Sequence, residues 1–60
     1  MNSIIAILEP GMLVRCPAQP GWGIGQVQSN INGKVTVNFQ DAGKKTLDGE
    51  NVEIELHFET

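Results

Sequence analysis

The glycine-rich stretch Gly21–Gly25 (GWGIG) is where residue type and spacing come nearest to a catalytic or ligand-binding pattern, because glycine-rich loops can bind phosphates. Dinucleotide-binding loops follow the pattern G-x-G-x-x-G and open a helix, whose N-terminal amides face the pyrophosphate. Here the third glycine comes one residue early, the next residues favour a strand, and no Walker-type lysine follows. The stretch is therefore interpreted as a bend where glycine allows sharp curvature and close backbone approach.

Cys16 and His57 could in principle bind a soft metal or form a nucleophilic pair. A structural zinc site uses four nitrogen or sulfur ligands, and a cysteine nucleophile needs a base, an orienting group and an oxyanion site. The sequence supplies neither set, so we expect no metal, no cofactor and no catalytic residue. Cys16 is predicted to be a small core residue, and His57 a solvated residue near the C-terminus.

The single tryptophan, Trp22, has two interpretations that the sequence leaves open. It lies between glycines in a loop that also contains Pro17 and Pro20. As a core residue it would close one end of a small barrel. As a binding residue it would form a partly exposed apolar platform with the two prolines, because tryptophan is enriched at binding hot spots. Both interpretations hold if one face of the ring is buried.

Length and composition exclude several functional classes. A chain of 60 residues forms one small domain with little room for a deep substrate cleft, so we do not expect an enzyme. A net charge of −3 with four basic residues disfavours nucleic-acid binding, which needs clustered cations. A lone cysteine indicates a reducing, cytoplasmic setting. The apolar run Ile4–Leu8 is far shorter than the ~20 residues of a membrane span, and we expect a soluble protein without a targeting signal.

Period-two alternation and turn residues indicate short β-strands along most of the chain. Strands are predicted at residues 12–16, 23–29, 34–39, 44–47 and 52–56, with a type I′ hairpin turn at Asn32-Gly33. Strands this short must curl and close on themselves to cover their edges. The predicted fold class is all-β, a small SH3-like (Tudor-like) barrel of about five strands over residues 11–60. Residues 1–10 form an N-terminal segment that is an extra strand, a helical turn or an oligomer contact through Ile4, Ile5, Ile7 and Leu8.

The order of these features resembles the Tudor-like C-terminal domain of UvrD/PcrA-type helicases. The resemblance covers about Gly11 to Leu56 and rests on Gly11, Val14, Arg15, Trp22-Gly23-Ile24-Gly25, Val27, Val35-x-Val37-x-Phe39, Gly43-x-Lys45-x-Leu47 and Val52-x-Ile54. The same module is similar to the RNA-polymerase-interacting domains of CarD and of the transcription-repair coupling factor. The chain also resembles small stand-alone bacterial proteins that begin with a similar Leu-Glu-Pro-Gly-Met stretch.

This resemblance implies a docking module. In those families the barrel binds RNA polymerase, in several cases by adding its sheet edge to an edge of the partner. By position, Lys44 and Lys45 are implied as partner contacts, and Trp22 occupies the aromatic position of the glycine motif. We therefore expect a non-catalytic protein-interaction module in bacterial transcription or DNA repair, with Trp22, Lys44 and Lys45 as partner-binding residues.

Two other functions stay open at this stage. A small-barrel nucleic-acid binder would stack bases on Trp22, Phe39 and Phe58 and contact the backbone through Lys34, Lys44 and Lys45. The negative net charge counts against it. A structural homo-oligomer would instead associate through the apolar run Ile4–Leu8.

Overall fold

Five strands and two short 3-10 helices make up the part of the chain that the computed structural model describes, which is the backbone of residues 3–58 and the side chains of residues 5–58. The two 3-10 helices are Ser3–Ile7 and Pro20–Trp22. The strands are β1 Leu13–Arg15, β2 Gly25–Ile31, β3 Lys34–Phe39, β4 Gly43–Asp48 and β5 Glu55–Leu56. No helix in the described range is long and apolar enough to cross a membrane.

The five strands form one antiparallel sheet in the order β4-β3-β2-β1-β5. Strands β1 to β4 are neighbours in chain order, and β5 returns to lie beside β1. A register shift between Val27 and Ser29 adds an unpaired residue to β2, and such bulges increase strand bending. The predicted fold class, an all-β domain of five short strands with a barrel-like shape, is confirmed.

The β2–β3 hairpin agrees most closely with the sequence-based prediction. Strand β3 has the predicted bounds, and Ile31 pairs with Lys34 across a two-residue turn. The turn residues Asn32 and Gly33 have φ angles of 52° and 83°. A type I′ turn requires positive φ at both positions, which is why asparagine followed by glycine is favoured there.

Strand β5 is shorter than predicted. The sequence alternation suggested pairing over residues 52–56, but only Glu55–Leu56 pair with β1. The reason is that the Asp48 carbonyl accepts hydrogen bonds from the N–H groups of Asn51 (3.0 Å) and Val52 (2.9 Å), so the chain still turns there. The inward position of Ile54 is nevertheless as predicted, with 1% of its surface exposed. The bounds of β1, β2 and β4 differ from the prediction by one or two residues at each end.

A single apolar core lies inside the curved sheet. It contains the alternating residues of β3 together with residues from β1, β2, β4 and the segments at both ends: Ile5, Leu8, Val14, Cys16, Val27, Val35, Val37, Phe39, Leu47 and Ile54. Cys16 is a buried core residue, as predicted. No buried side-chain nitrogen or oxygen among the described residues lacks a hydrogen-bond partner.

The N-terminal segment forms a 3-10 helix that packs on the barrel. Ile5 and Leu8 are buried in the core, and the Asn30 side-chain amide donates hydrogen bonds to their carbonyl oxygens at 2.6 Å and 3.2 Å. Of the apolar residues proposed for an oligomer contact, Ile7 is exposed, whereas Ile5 and Leu8 are used within the chain. The side chain of Ile4 lies outside the described residues. The oligomer hypothesis therefore depends on Ile7 among the described side chains of this segment.

Candidate functional site

The glycine stretch places Trp22 at the rim of the core. Gly23 has a φ of +77°, and a Cβ atom at Gly25 would lie 2.7 Å from the Phe39 ring, so neither position accommodates a larger residue without strain or displacement. These two glycines confirm the interpretation of the stretch as a bend with close packing. The bend follows the 3-10 helix Pro20–Trp22, within a region that was predicted to be an irregular loop.

Trp22 is half-buried and packs against the core on one side. Its ring centroid lies 5.0 Å from that of Phe39, with the ring planes tilted by 54°. Its carbonyl oxygen accepts a hydrogen bond from the Asp41 N–H at 3.0 Å, which joins this loop to the β3–β4 turn. Trp22 is thus a residue that packs on the core and is still partly exposed.

Lys45 lies against the same tryptophan. Its Nζ atom is 5.6 Å from the Trp22 ring centroid, within the range of a cation–π interaction. Lys45 pairs with Val37, a core residue, and so belongs to the inner face of the sheet. Lys45 is exposed, whereas Leu47 on the same face of β4 is buried in the core.

Lys44 lies on the opposite face of β4. It pairs with the exposed Asn38, and the neighbouring outer-face pair Thr36 and Thr46 bring their hydroxyl oxygens to 3.2 Å. Adjacent strand residues point to opposite faces. Of the three residues predicted to bind a partner, the structure therefore brings Trp22 and Lys45 together and places Lys44 on the other face of the same strand.

Strand β4 is an edge strand, and the hydrogen-bond alternation shows which of its main-chain groups reach the free side. The Gln40 N–H donates to the Ile24 carbonyl at 2.9 Å, so even-numbered positions along β3 bond towards β2. Odd-numbered positions bond towards β4, as the bond from the Gly49 N–H to the Gly33 carbonyl at 2.8 Å shows.

The register then assigns the main-chain groups of β4. Residues 43, 45 and 47 pair with residues 39, 37 and 35, and so bond to β3. Lys44 and Thr46 therefore direct their N–H and C=O groups away from the sheet, towards a side on which no strand of residues 3–58 pairs. Thr46 was not predicted as a functional residue, because its edge position depends on strand order, which no local pattern reveals.

The four basic side chains differ in their partners. Arg15 pairs with Glu55 at 3.1 Å, and Lys34 pairs with Asp48 at 3.7 Å. Within the described part of the chain, Lys44 and Lys45 form no ion pair with a carboxylate. The two cations without an acidic partner thus both belong to the free edge strand.

Comparison with known proteins identifies the family. A family model described as "Protein of unknown function (DUF3553)" matches residues 8–57, which include all five strands together with Trp22, Lys44 and Lys45. The chain belongs to the DUF3553 family. No curated protein and no solved structure matches it.

Cys16 and His57 line the same open cleft of this DUF3553 domain, which has a volume of about 410 Å³. Its other lining residues come from the proline-containing loop and from β1 and β5: Arg15, Pro17, Pro20, Gly23, Ile24 and Glu55. Cys16 is buried and His57 is half-buried, so His57 is less solvated than predicted. Within the described range, no three histidine, cysteine or acidic residues are grouped so that they could hold a metal ion.

The residues proposed for nucleic-acid binding are only partly accessible in the DUF3553 domain. Phe39 is 2% exposed and cannot stack against a base, so that part of the hypothesis is wrong. Phe58 is 76% exposed, and Trp22 is half-buried. Lys34 has a carboxylate partner in Asp48, which reduces its availability for a phosphate. Of the three aromatic residues in the nucleic-acid hypothesis, Phe58 and part of Trp22 are therefore accessible.

Proposed function

We propose that this DUF3553 domain is a non-catalytic protein-interaction module that binds an extended segment of a partner protein along β4. The observation that carries the proposal is the free edge of β4, where the main-chain groups of Lys44 and Thr46 point outwards beside the Trp22–Lys45 pair. Strand addition at an exposed sheet edge is a recurring mode of peptide recognition.

Main-chain and side-chain contacts have different roles in this proposal. Hydrogen bonds from Lys44 and Thr46 to an added strand provide affinity that depends little on the partner's sequence. Selectivity comes from the side chains that flank the edge, with Trp22 and Lys45 on the inner face and Lys44 on the outer face. Tryptophan at the rim suits this role, because its ring offers a large contact area.

The resemblance to RNA-polymerase-interacting domains suggests the first partners to examine. We propose a subunit of RNA polymerase or of the DNA-repair machinery in the bacterial cytoplasm, contacted through one of its own sheet edges or an extended segment. Transcription and DNA repair are the corresponding processes.

The test is affinity purification of the chain from bacterial lysate, with the recovered proteins identified by mass spectrometry. The informative variant is Thr46→Pro, because proline removes an N–H that faces the free edge and not the β3–β4 ladder. Thr46→Val is the matched control, since it keeps both the N–H and the β-branched shape.

We expect wild type and Thr46→Val to recover the same polymerase or repair subunit, and Thr46→Pro to lose it while retaining its circular dichroism spectrum. Trp22→Ala provides a second variant, expected to weaken recovery of the same subunit. Recovery by folded Thr46→Pro at the wild-type level would contradict docking along β4. Recovery of no polymerase or repair subunit by wild type would contradict the assignment of the partner.

A further inference from the structure

We infer that the segment bound along β4 is acidic, with carboxylates at two neighbouring positions, one on each face of the added strand. This inference rests on the proposed function and specifies the chemistry of its partner. It follows from the charge distribution around the free edge and from the alternation of side chains along a strand.

The charge distribution separates β4 from the rest of the molecule. Arg15 and Lys34 already have carboxylate partners, at 3.1 Å and 3.7 Å respectively. Lys44 and Lys45 have none among residues 3–58, and both are exposed. The whole chain carries a net charge of −3, but charges beyond about 8 Å are largely screened at physiological salt. Lys44 and Lys45 would lie at contact distance from a segment bound along β4. Their positive charges therefore favour a segment with negative charge.

Strand geometry determines where the two carboxylates must lie. In an added strand, the residue opposite Lys44 lies on the outer face, and the residue opposite Lys45 lies on the inner face beside Trp22. These two partner residues are consecutive. If the added strand is antiparallel, the pair at Lys45 is the non-hydrogen-bonded type, in which the Cα atoms approach to about 4.5 Å. Two adjacent acidic residues would therefore each meet one ammonium group.

The same two lysines disfavour a second copy of this chain as the occupant. Antiparallel pairing of two β4 strands centred on Lys44 or on Lys45 would place lysine directly across from lysine, and like charges directly opposite are destabilising. Edge lysines are a common device against such self-pairing. The two lysines therefore disfavour these registers of self-pairing and favour an acidic segment.

The test is an NMR titration of the 60-residue ¹⁵N-labelled chain with three blocked octapeptides. Each peptide alternates threonine and valine, and its two central residues are both glutamate, both glutamine or both lysine. We expect the glutamate peptide to shift the amide signals of Lys44 and Thr46 and the Trp22 indole signal. Two exposed ion pairs predict an affinity roughly three- to tenfold above that of the glutamine peptide, and a smaller difference at high salt.

The double variant Lys44→Gln/Lys45→Gln is the control. It should bind the glutamate and glutamine peptides equally, so that the preference for glutamate is lost. Equal shifts at β4 with the glutamate and glutamine peptides would overturn the acidic partner and leave strand docking in place. No shift at β4 with any of the three peptides would overturn strand docking itself.

Discussion

At the residue scale, the Lys45–Trp22 contact is the feature that separates two otherwise similar lysines. Lys45 lies over the Trp22 ring, whereas Lys44 lies on the other face of β4 beside Asn38. A cation–π interaction at an exposed site stabilises by about 0.5–1 kcal/mol. The two lysines therefore differ in their contribution to the free energy of unfolding.

Single replacements of the two lysines should change the free energy of unfolding by different amounts. Lys45→Gln should lower the free energy of unfolding by about 0.5–1 kcal/mol, because it removes the charge from above the ring. Lys44→Gln should change it by no more than about 0.5 kcal/mol, as is usual for exposed surface positions. Urea denaturation followed by the fluorescence of the single tryptophan measures both. Equal losses from the two variants would mean that the ring contact contributes no specific stability.

Asp48 is the residue that links stability to pH. Its carboxylate accepts hydrogen bonds from the Glu50 N–H at 3.0 Å and the Asn51 side-chain amide at 2.9 Å, and it pairs with Lys34. The hydrogen bond from the Glu50 backbone, followed by the attraction to Lys34 and the bond from Asn51, holds the pKa of Asp48 below its usual value of 3.8. A carboxyl whose pKa is lowered by folding stabilises the folded state when it is ionised.

The stabilisation from Asp48 should be present in full above its unfolded-state pKa and be lost as the pH falls through its folded-state pKa. Asp48→Asn should therefore lower the melting temperature at pH 7, and this difference from wild type should shrink as the pH falls below about 4. Thermal unfolding at a series of pH values measures this. A constant deficit for Asp48→Asn at every pH would contradict the assignment.

At the element scale, the β2–β3 turn allows the conformational cost of glycine replacement to be isolated. A Cβ atom at Gly33 would meet nothing within 4 Å, yet the φ angle there is +83°. Gly21 is equally open, but its φ lies outside the left-handed region. An added Cβ atom is thus unobstructed at both positions, whereas the backbone conformation differs.

Gly33→Ala should destabilise the domain by about 1–2 kcal/mol, because an L-residue at this positive φ brings its Cβ atom too close to the carbonyl oxygen that follows it. Gly21→Ala should be neutral or slightly stabilising, since it restricts only the unfolded chain. Chemical denaturation of both variants gives the comparison. A loss at Gly21 equal to that at Gly33 would show that the turn conformation is not the cause.

The strands differ in how far the sequence could predict them, for reasons visible in particular residues. Strand β3 was predicted to the residue, because a two-residue turn and strict alternation are both local signals. The length of strand β5 was not predicted correctly, because the Asp48 carbonyl accepts hydrogen bonds from the N–H groups of Asn51 and Val52 and so extends the turn. At the candidate site, Trp22 and the two lysines stood out by residue type. The edge position of Thr46 and the separation of the lysines onto two faces depend on strand order and register, which arise only in the folded sheet.

At the scale of the whole molecule, the N-terminal segment is part of the core that the barrel encloses. Leu8 is 4% exposed and Ile5 is 9% exposed, whereas Ile7 between them is 55% exposed. Asn30 of β2 fixes this segment through two hydrogen bonds to its carbonyl groups. In a domain this small, the loss of one buried leucine is a large fraction of an expected total stability of about 3–9 kcal/mol.

Leu8→Ala should therefore lower the free energy of unfolding by about 2–4 kcal/mol, through lost burial and the cavity it leaves. Ile7→Ala should change it by less than about 1 kcal/mol, because that side chain is mostly exposed. Denaturation and sedimentation velocity on both variants distinguish the two roles of the segment. A wild-type oligomer that Ile7→Ala converts to monomer, with unchanged stability, would support the oligomer hypothesis for this surface.

The strict alternation along β4 also bears on how such a chain can diverge over evolutionary time. A single residue inserted between Gly43 and Lys44 would move both lysines to the opposite face and turn the main-chain groups of Lys44 towards β3. This one insertion would remove the Lys45 ammonium from the Trp22 ring and would also change which main-chain groups of β4 face the free edge. Changes in residue type at these positions can be gradual. Changes in the length of β4 cannot be gradual. Related proteins that keep the β4 edge should therefore differ within β4 by substitution and not by insertion or deletion.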